Sequence, residues 1–365
     1  MAGLQDRRKL YREELTMKGF RTIDFRYKIL RNGADYGYLF PAEEGAPQLH
    51  MDSGSVIKTS FSGDFLEPSK DFNILADDIA PVLIIDEEPY QLGVFRAVHA
   101  STHDNGYYKT VHLEAYDHCW LVNANRLLGY IFFGAGTNYI DAIGSLLASC
   151  GITRIYSTPT SEELTEDREW IMGTSYIDVV NQLLGEINYN DLWFDSNGFA
   201  HLEPYSPTNV NKAKHVLDDT KIESIMLPGL TSEFDVYDRP NVFICVCSNA
   251  DKDGAMVAVA ENTNPTSPLS IHRRPRIAQV INVDNIASQE ALQSFAKRQV
   301  TESLLAVESI SVQTGLLPGF GVYDTTALKY GDLMEICRET SWTMDLKVGG
   351  LMTHELKRVV LNVDI

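Results

Sequence analysis

Several groupings in the chain carry residue types that could do chemistry. Gly134-Ala135-Gly136 follows the apolar run Tyr130–Phe133 and precedes a helical pattern, the placement of a dinucleotide-cradling loop. The third glycine of that motif is replaced by Tyr139, so an ordinary loop before a helix is the simpler reading. Asn249, Asp251, Asp253 and Gly254 match the opening of a calcium loop, but the bidentate acid should fall at Ala260, and Glu261 is one late. Both flanks read as strands, which favours a hairpin turn. Cys245 and Cys247 share one face of a strand without a second Cys/His pair at metal spacing, and read as buried thiols. His99, His103, His112 and His118, with Glu114 two residues from His112, could converge on paired strands, although nothing resembles H-E-x-x-H. Glu162, Glu163, Glu166, Asp167 and Glu169 could supply paired carboxylates for glycoside hydrolysis, but acids on one loop rarely hold a fixed separation, and a solvated surface is the simpler account. No nucleophile elbow, phosphate-binding loop or reactive-cysteine context is present. No residue is therefore assigned a catalytic, cofactor-binding or metal-ligating role. That lack of a credible site points to a structural or binding function.

The bulk numbers agree. The chain has 365 residues, 44% hydrophobic and 22% charged, enough to bury real cores across two to three domains. Fifty acids against 31 bases give a net charge of −19, which disfavours gripping duplex DNA and suits solubility or a surface that sheds polyanions. Five cysteines at 119, 150, 245, 247 and 337 form no disulfide framework and imply a reducing compartment. The longest apolar run is too short to cross a membrane, so no stable membrane insertion is expected. The first residues have neither a secretory core nor a myristoylation glycine.

The elements that would position any site fall into four stretches. Residues 1–19 read as an N-terminal helix or arm. Residues 20–124 alternate apolar and polar with a hairpin signal at Asn32-Gly33, and strand-like runs at 56–65, 81–86, 90–100 and 107–117. The last two runs flank a turn-rich loop at 101–106. Residues 125–205 are mixed α/β. One helix starts at N-cap Asn138, with Asp141 in its first turn and Gly151 beyond its end; another follows Ser175; a hairpin spans 192–205. An acidic loop at 161–169 lies between the helices. Residues 206–365 return to strands at 241–248, 255–261, 276–283, 308–312, 333–338 and 355–363, interrupted by one helix at 288–305 with Ser288 as N-cap. The expected class is β-rich α+β: two small antiparallel β-barrel-like tube domains with an α/β insert between them.

Longer patterns carry a family likeness. The run Tyr176-Ile-Asp-Val-Val-Asn-Gln-Leu-Leu-Gly-Glu-Ile-Asn188, then Leu192-Trp-Phe-Asp-Ser-Asn-Gly-Phe-Ala-His-Leu-Glu-Pro-Tyr205, resembles a helix and hairpin of phage tail baseplate hub and tail-tip (tail-associated) proteins. Arg239-Pro-Asn-Val-Phe243, Ala258-Val-Ala-Glu-Asn-Thr-Asn-Pro-Thr-Ser-Pro268 and the 284–296 helix are similar to the same family. The resemblance covers about residues 20–365. It implies a homotrimer in which each subunit gives two tube domains, so that three chains make a pseudo-sixfold ring adapting a sixfold tail tube to a threefold tip or spike. The implied partners are the tail tube or distal tail protein ring, the tip, spike or receptor-binding proteins, the tape measure protein and passing DNA without specific binding. The implied location is a virion tail or a phage-tail-like particle, bacteriocins and contractile injection systems included, assembled in the bacterial cytoplasm.

Two other functions stay open at this stage. One is a cell-wall glycan hydrolase using the 161–169 acids or the histidines near 101–106, against which the lack of a recognisable hydrolase domain counts. The other is a saccharide-binding tip module working through exposed Trp193 or Trp342. Acids such as Asp218, Asp219, Glu233 and Asp235 are expected to line a passage and repel DNA, with subunit contacts closer to neutral.

Overall fold

The computed structural model describes residues 21–43, 45–68, 72–104, 106–206, 213–221, 224–247, 256–265, 267–283, 285–305 and 307–359. The expected 1–19 arm lies outside them, as do Asn249, Asp251, Asp253 and Gly254.

The first β-rich stretch supplies β1 (Ile23–Arg31), β2 (Ala34–Leu39), β3 (Gln48–Asp52), β4 (Thr59–Leu66), β5 (Asp78–Ile85), β6 (Glu88–Gln91), β7 (Phe95–Asp104) and β8 (Lys109–Tyr116). Asn32 and Gly33 turn β1 into β2 with φ of 52° and 77°, a two-residue hairpin whose positive φ values match the strand twist. The run at 90–100 splits into β6 and β7. A Cβ at Gly93 would run into the Phe95 ring, so only glycine lets the chain pass that close to the ring before β7 begins.

The middle stretch holds α1 (Cys119–Ala124), β9 (Ile131–Phe133), α2 (Tyr139–Ser149), β10 (Ile155–Ser157), β11 (Arg168–Trp170), α3 (Tyr176–Glu186), β12 (Trp193–Phe194) and β13 (Ala200–Leu202). Asn138 caps α2 by accepting the Ile140 N–H, and Gly151 follows the helix at φ 80°. Ser175 stands at the start of α3 without capping it. Its hydroxyl donates instead to the Asn123 carbonyl at 2.9 Å, tying α3 to the end of α1. The acidic 161–169 segment is only partly a solvated loop, because Leu164 is buried and β11 pairs antiparallel with β9.

The last stretch contributes β14 (His215–Asp218), β15 (Met226–Phe234), β16 (Val242–Cys247), β17 (Met256–Glu261), β18 (Ala278–Val283), α4 (Gln289–Leu305), β19 (Glu308–Gly315), β20 (Thr325–Tyr330), β21 (Leu333–Asp345) and β22 (Leu351–Arg358). Ser288 caps α4 by accepting the Ala291 N–H at 3.1 Å.

The protein is β-rich α+β. The two β-rich stretches meet in one 14-stranded sheet, whose main path runs β15-β19-β22-β21-β3-β4-β8-β7-β5-β1-β2. The join is made by β21, thirteen residues long, whose end pairs with β3 so that Trp342 lies opposite Met51 and Met344 opposite Leu49. All four are buried, and one core holds Tyr27, Phe61 and Phe95 from the first stretch with Ile310, Trp342 and Leu356 from the last. Among the described strands this path closes on neither side. A second core lies among α1, α2 and α3 and takes in Ala287 from the last stretch. A third is the β17-β16-β18 sheet under α4, where Cys245 and Cys247 are buried on the same side. Among the described residues, no helix is long and apolar enough to cross a membrane.

The β5–β6 hairpin turns on Asp86 and Glu87 at φ 50° and 72°, with no glycine. A non-glycine residue there is held against its preference. Glu87→Gly is expected to raise folding stability by about 0.5–1 kcal/mol, read by denaturant unfolding; a loss of stability would show that the Glu87 side chain matters more than its backbone.

Candidate functional site

The residues singled out for chemistry are dispersed. His112 Nδ1 meets Asp64 Oδ1 at 2.9 Å, whereas His118 Nε2 lies 3.3 Å from Asp78 on the far side of the strand path. His99 and His103 are exposed on β7. Glu166 accepts from the Asn285 side chain at 3.0 Å, and Asp167 accepts the Ala135 N–H at 2.8 Å, so these acids brace loops and do not face each other. The Gly134–Gly136 turn is closed by the Gly136 N–H donating to the Leu164 carbonyl, which uses up a donor that a phosphate cradle would need. Among the described residues no group of three or more His, Cys, Asp or Glu side chains could hold a metal ion.

Trp342 is buried against Met51, not exposed, because β21 runs through the centre of the sheet; Trp193 is half-buried. Both line a cavity of about 270 Å³ between the β12–β13 hairpin and the main core. His201 stacks on Trp193 with ring centroids 4.0 Å apart, and its nitrogens lie 3.3 Å from the Asp195 and Glu203 carboxylates. Burial pulls the imidazole pKa down, but the two carboxylates outweigh it and push the value up to about 9. Sequence reading passed over His201. The signal was its register opposite Trp193 on a four-residue-turn hairpin, with Asp195 and Glu203 on the same face.

Asp117, on the wall of the same cavity, is sealed at the end of β8. It accepts the Thr59 N–H at 2.7 Å and the Cys119 N–H at 2.9 Å, joining β4 to the start of α1. Burial pushes its carboxyl from the usual 3.8 up to about 6. A carboxyl raised on folding gives stability that is full below the unfolded value and lost as pH rises through the folded one. Wild-type stability should therefore fall between pH 4 and 6 by up to about 3 kcal/mol from this group. Asp117→Asn should start lower, since an amide cannot accept both N–H groups, but should lose that slope. Denaturant unfolding across this pH range checks it, and an unchanged slope in the variant would contradict it.

A second cavity, about 390 Å³ and polar, opens where the three cores meet, between Asp191, α4 and β21. Arg338 crosses its floor, donating to Glu302 at 2.7 Å and lying over the Tyr205 and Tyr323 rings. Lys58, 2% exposed, donates to the Ser53 carbonyl and sits 3.7 Å from Asp191. These cations are spent on holding the insert against the sheet.

Inside the main core, Glu339 Oε1 meets His354 Nδ1 at 3.0 Å and His354 Nε2 meets Thr314 Oγ1 at 3.1 Å. Acid, imidazole and hydroxyl in line is the layout that activates a nucleophile. All three residues are 0% exposed, and the Thr314 hydroxyl donates to the Gly315 carbonyl, so substrate has no access and the hydroxyl no freedom. Nearby, burial drives the Asp324 carboxyl up, but His215 and Lys214 outweigh it and hold it below its usual range. Both groups are built as internal struts.

What the molecule does present to solvent is unpaired strand. Among the described residues β15 pairs only with β19, and β7 pairs with β5 only at Phe95 and Arg96. Beyond them His99–Asp104 have β8 on one side and no described strand on the other. Both segments are largely exposed. Of the acids expected on a passage wall, Glu233 is exposed on β15, Asp235 pairs with Arg239 at 3.2 Å, Asp219 accepts the Gly331 N–H, and Asp218 lies 3.6 Å from Lys329.

The chain has the fold of phage tail proteins. It superposes on the tail protein from Neisseria meningitidis MC58 with a TM-score of 0.65 at 12% identity, covering 91% of this chain and 96% of that one. The 43 kDa tail protein of prophage MuSo2 from Shewanella oneidensis gives 0.64 at 11% identity, covering 92% and 98%. Prophage tail protein gp18 from Listeria monocytogenes EGD-e gives 0.58 at 8% identity, covering 93% and 95%. At these identities the likeness is one of fold. No protein-family model matches the chain. No curated protein matches it either.

Proposed function

We propose that the chain is a structural component of a phage tail or phage-tail-like particle: a hub of three copies, ring-closed, that adapts a sixfold tube to a threefold tip and lines the passage between them. The observation that carries this is the pair of open edges. Each copy has eight strands in unbroken succession from β15 to β7; among the described residues the outer side of β15 and the His99–Asp104 half of β7 are exposed and have no strand beside them. An exposed flat edge is a liability that a closed ring removes. Joining β15 of one copy to the outer half of β7 of the next would repeat eight strands three times around one axis. The fold shared over nearly full length with prophage tail proteins supports the same reading.

In this role the chain is not an enzyme. Its neighbours would be a tail tube or distal tail ring on one side and a tip or spike on the other, with tape measure protein and DNA passing through. Assembly would take place in the bacterial cytoplasm, before incorporation into the tail. Glu162, Glu163 and Glu166 lie on the 161–169 segment and His112 on β8 against Asp64, which supports the structural reading over the glycan-hydrolase alternative. Light scattering on the isolated chain at high concentration, or a map of the assembled particle, should give three copies about one axis. A single copy in the particle, or a sixfold ring of this chain, would overturn the reading.

A further inference from the structure

The β17-β16-β18 sheet buries one face under α4, and among the described residues its other face is largely open, with Val242 the buried position on it. Alternation and register place three rows across that outer face: Val259–Ile244–Val280, then Val257–Val246–Asn282, then Glu261–Val242–Ala278. Seven of these nine positions are apolar. Val257, Val259 and Val280 are 48%, 55% and 58% exposed. The third row is edged by the Arg276–Glu261 ion pair at 3.1 Å. The same approach segment carries exposed His272 and Arg273, while Arg274 is turned to the Val236 carbonyl. In a chain of net charge −19 this is an apolar face with a basic segment, Arg273 to Arg276, along its Val242 end.

The insert carries a counterpart. On the β9–β11 ribbon Phe132 lies opposite Glu169, and both are exposed. Tyr130 and Ile171 extend that face, 61% and 66% exposed, with Leu128 and Met172 at its end. Leu128 is held beside Met172 by the Gly173 N–H donating to the Leu127 carbonyl. Exposed Glu163, Asp167 and Glu169 make the border acidic, and Arg126 is also exposed. The ribbon is apolar with an acidic border, and the sheet face is apolar with a basic segment along one end.

We propose that the β9–β11 ribbon of one copy seats on the outer β17-β16-β18 face of the next copy. The proposal rests on the reading that copies sit side by side in a ring, and adds to it a second, heterologous contact made by the insert. Three strands about 4.8 Å apart and five residues long give a face of roughly 250 Å². A standard interface buries about 800 Å² per partner. The contact therefore works together with the sheet edges and does not hold copies by itself.

The probe is the chain itself, measured by sedimentation over a concentration series. Val259→Asp and Phe132→Asp, both at exposed positions, should each raise the dissociation constant for self-association about 30-fold with the thermal midpoint unchanged. Arg273→Glu should weaken association five- to tenfold, and adding Glu169→Arg in the same chain should restore most of that loss. Three copies that form with wild-type affinity in all of these variants would overturn the contact and leave the ring standing. Dimers or open chains that Val259→Asp abolishes would support the contact and overturn the ring. A wild-type chain that stays monomeric at every concentration reached would overturn the contact.

Discussion

Replacing His354 by alanine is expected to cost about 3–5 kcal/mol of folding stability at neutral pH, the size seen when one member of a buried ion pair is removed. The Thr314 hydroxyl spends its proton on the Gly315 carbonyl, so His354 Nε2 must donate to Thr314 Oγ1. One further proton is then shared between His354 Nδ1 and Glu339 Oε1. Burial drives the Glu339 carboxyl up, and His354 is the partner that most opposes this. Without the imidazole, Glu339 keeps only a long 3.5 Å contact from Thr326 and is left as an acid sealed from water. Its pKa should then rise further. Stability tied to such a group is full at low pH and is lost as pH rises, so His354→Ala should regain part of its loss on acidification. Replacing both His354 and Glu339 by leucine should come within about 1–2 kcal/mol of the wild type, because a buried pair often exchanges for apolar residues at little cost. Denaturant unfolding of the wild type and the two variants checks this. A single variant as stable as the wild type at pH 7.5 would show that the pair carries no net load.

Such a pair was out of reach for sequence reading. Glu339 and Trp342 are three apart, which on a regular strand would put them on opposite faces. The β21 register slips by one residue between Glu339 and Ser341, and both side chains end up buried. A bulge reverses parity, and periodicity alone does not announce where it falls. β15 is absent from the expected strands, and Pro228 and Gly229 fall at a second irregularity inside it, where an edge strand tolerates a proline and extra residues. By contrast, the α2 cap at Asn138, the α4 cap at Ser288 and the Asn32-Gly33 hairpin were legible because each is decided within a few residues. The union of the two β-rich stretches depends on β3 meeting β21 nearly three hundred residues later, and no local pattern encodes a partner at that distance. The histidines and acids weighed as catalytic groups failed for the complementary reason. Their residue types were right, but the histidines lie on β7, β8 and the turn after β8 while the acids lie on the 161–169 segment, and His112, His118, Glu166 and Asp167 are held by partners outside that set.

Ser232→Pro is expected to leave the folded chain nearly intact and to abolish the three-copy assembly. The Asp235 N–H donates to the Val307 carbonyl of the strand leading into β19. Backbone groups alternate direction along an antiparallel strand, so the N–H groups of Glu233 and Thr231 also face β19. Those of Ser232 and Phe234 face away, toward the open edge. Proline at 232 removes one outward donor and sets a ring where an incoming strand would lie; it takes no backbone bond from β19, only the exposed Ser232 hydroxyl bond to the Glu308 side chain at 3.0 Å. The isolated chain should lose no more than about 1 kcal/mol. Its dissociation constant for association should rise at least about 100-fold, since a strand-to-strand join is interrupted at its centre. Thr231→Pro is the control, because it removes an inward donor; it should destabilise the monomer by about 3 kcal/mol through the β15–β19 ladder itself. Sedimentation and thermal unfolding together separate the two outcomes. A Ser232→Pro chain that still forms three copies with unchanged affinity would mean that β15 is not the joining edge, and the ring would have to close through other surfaces.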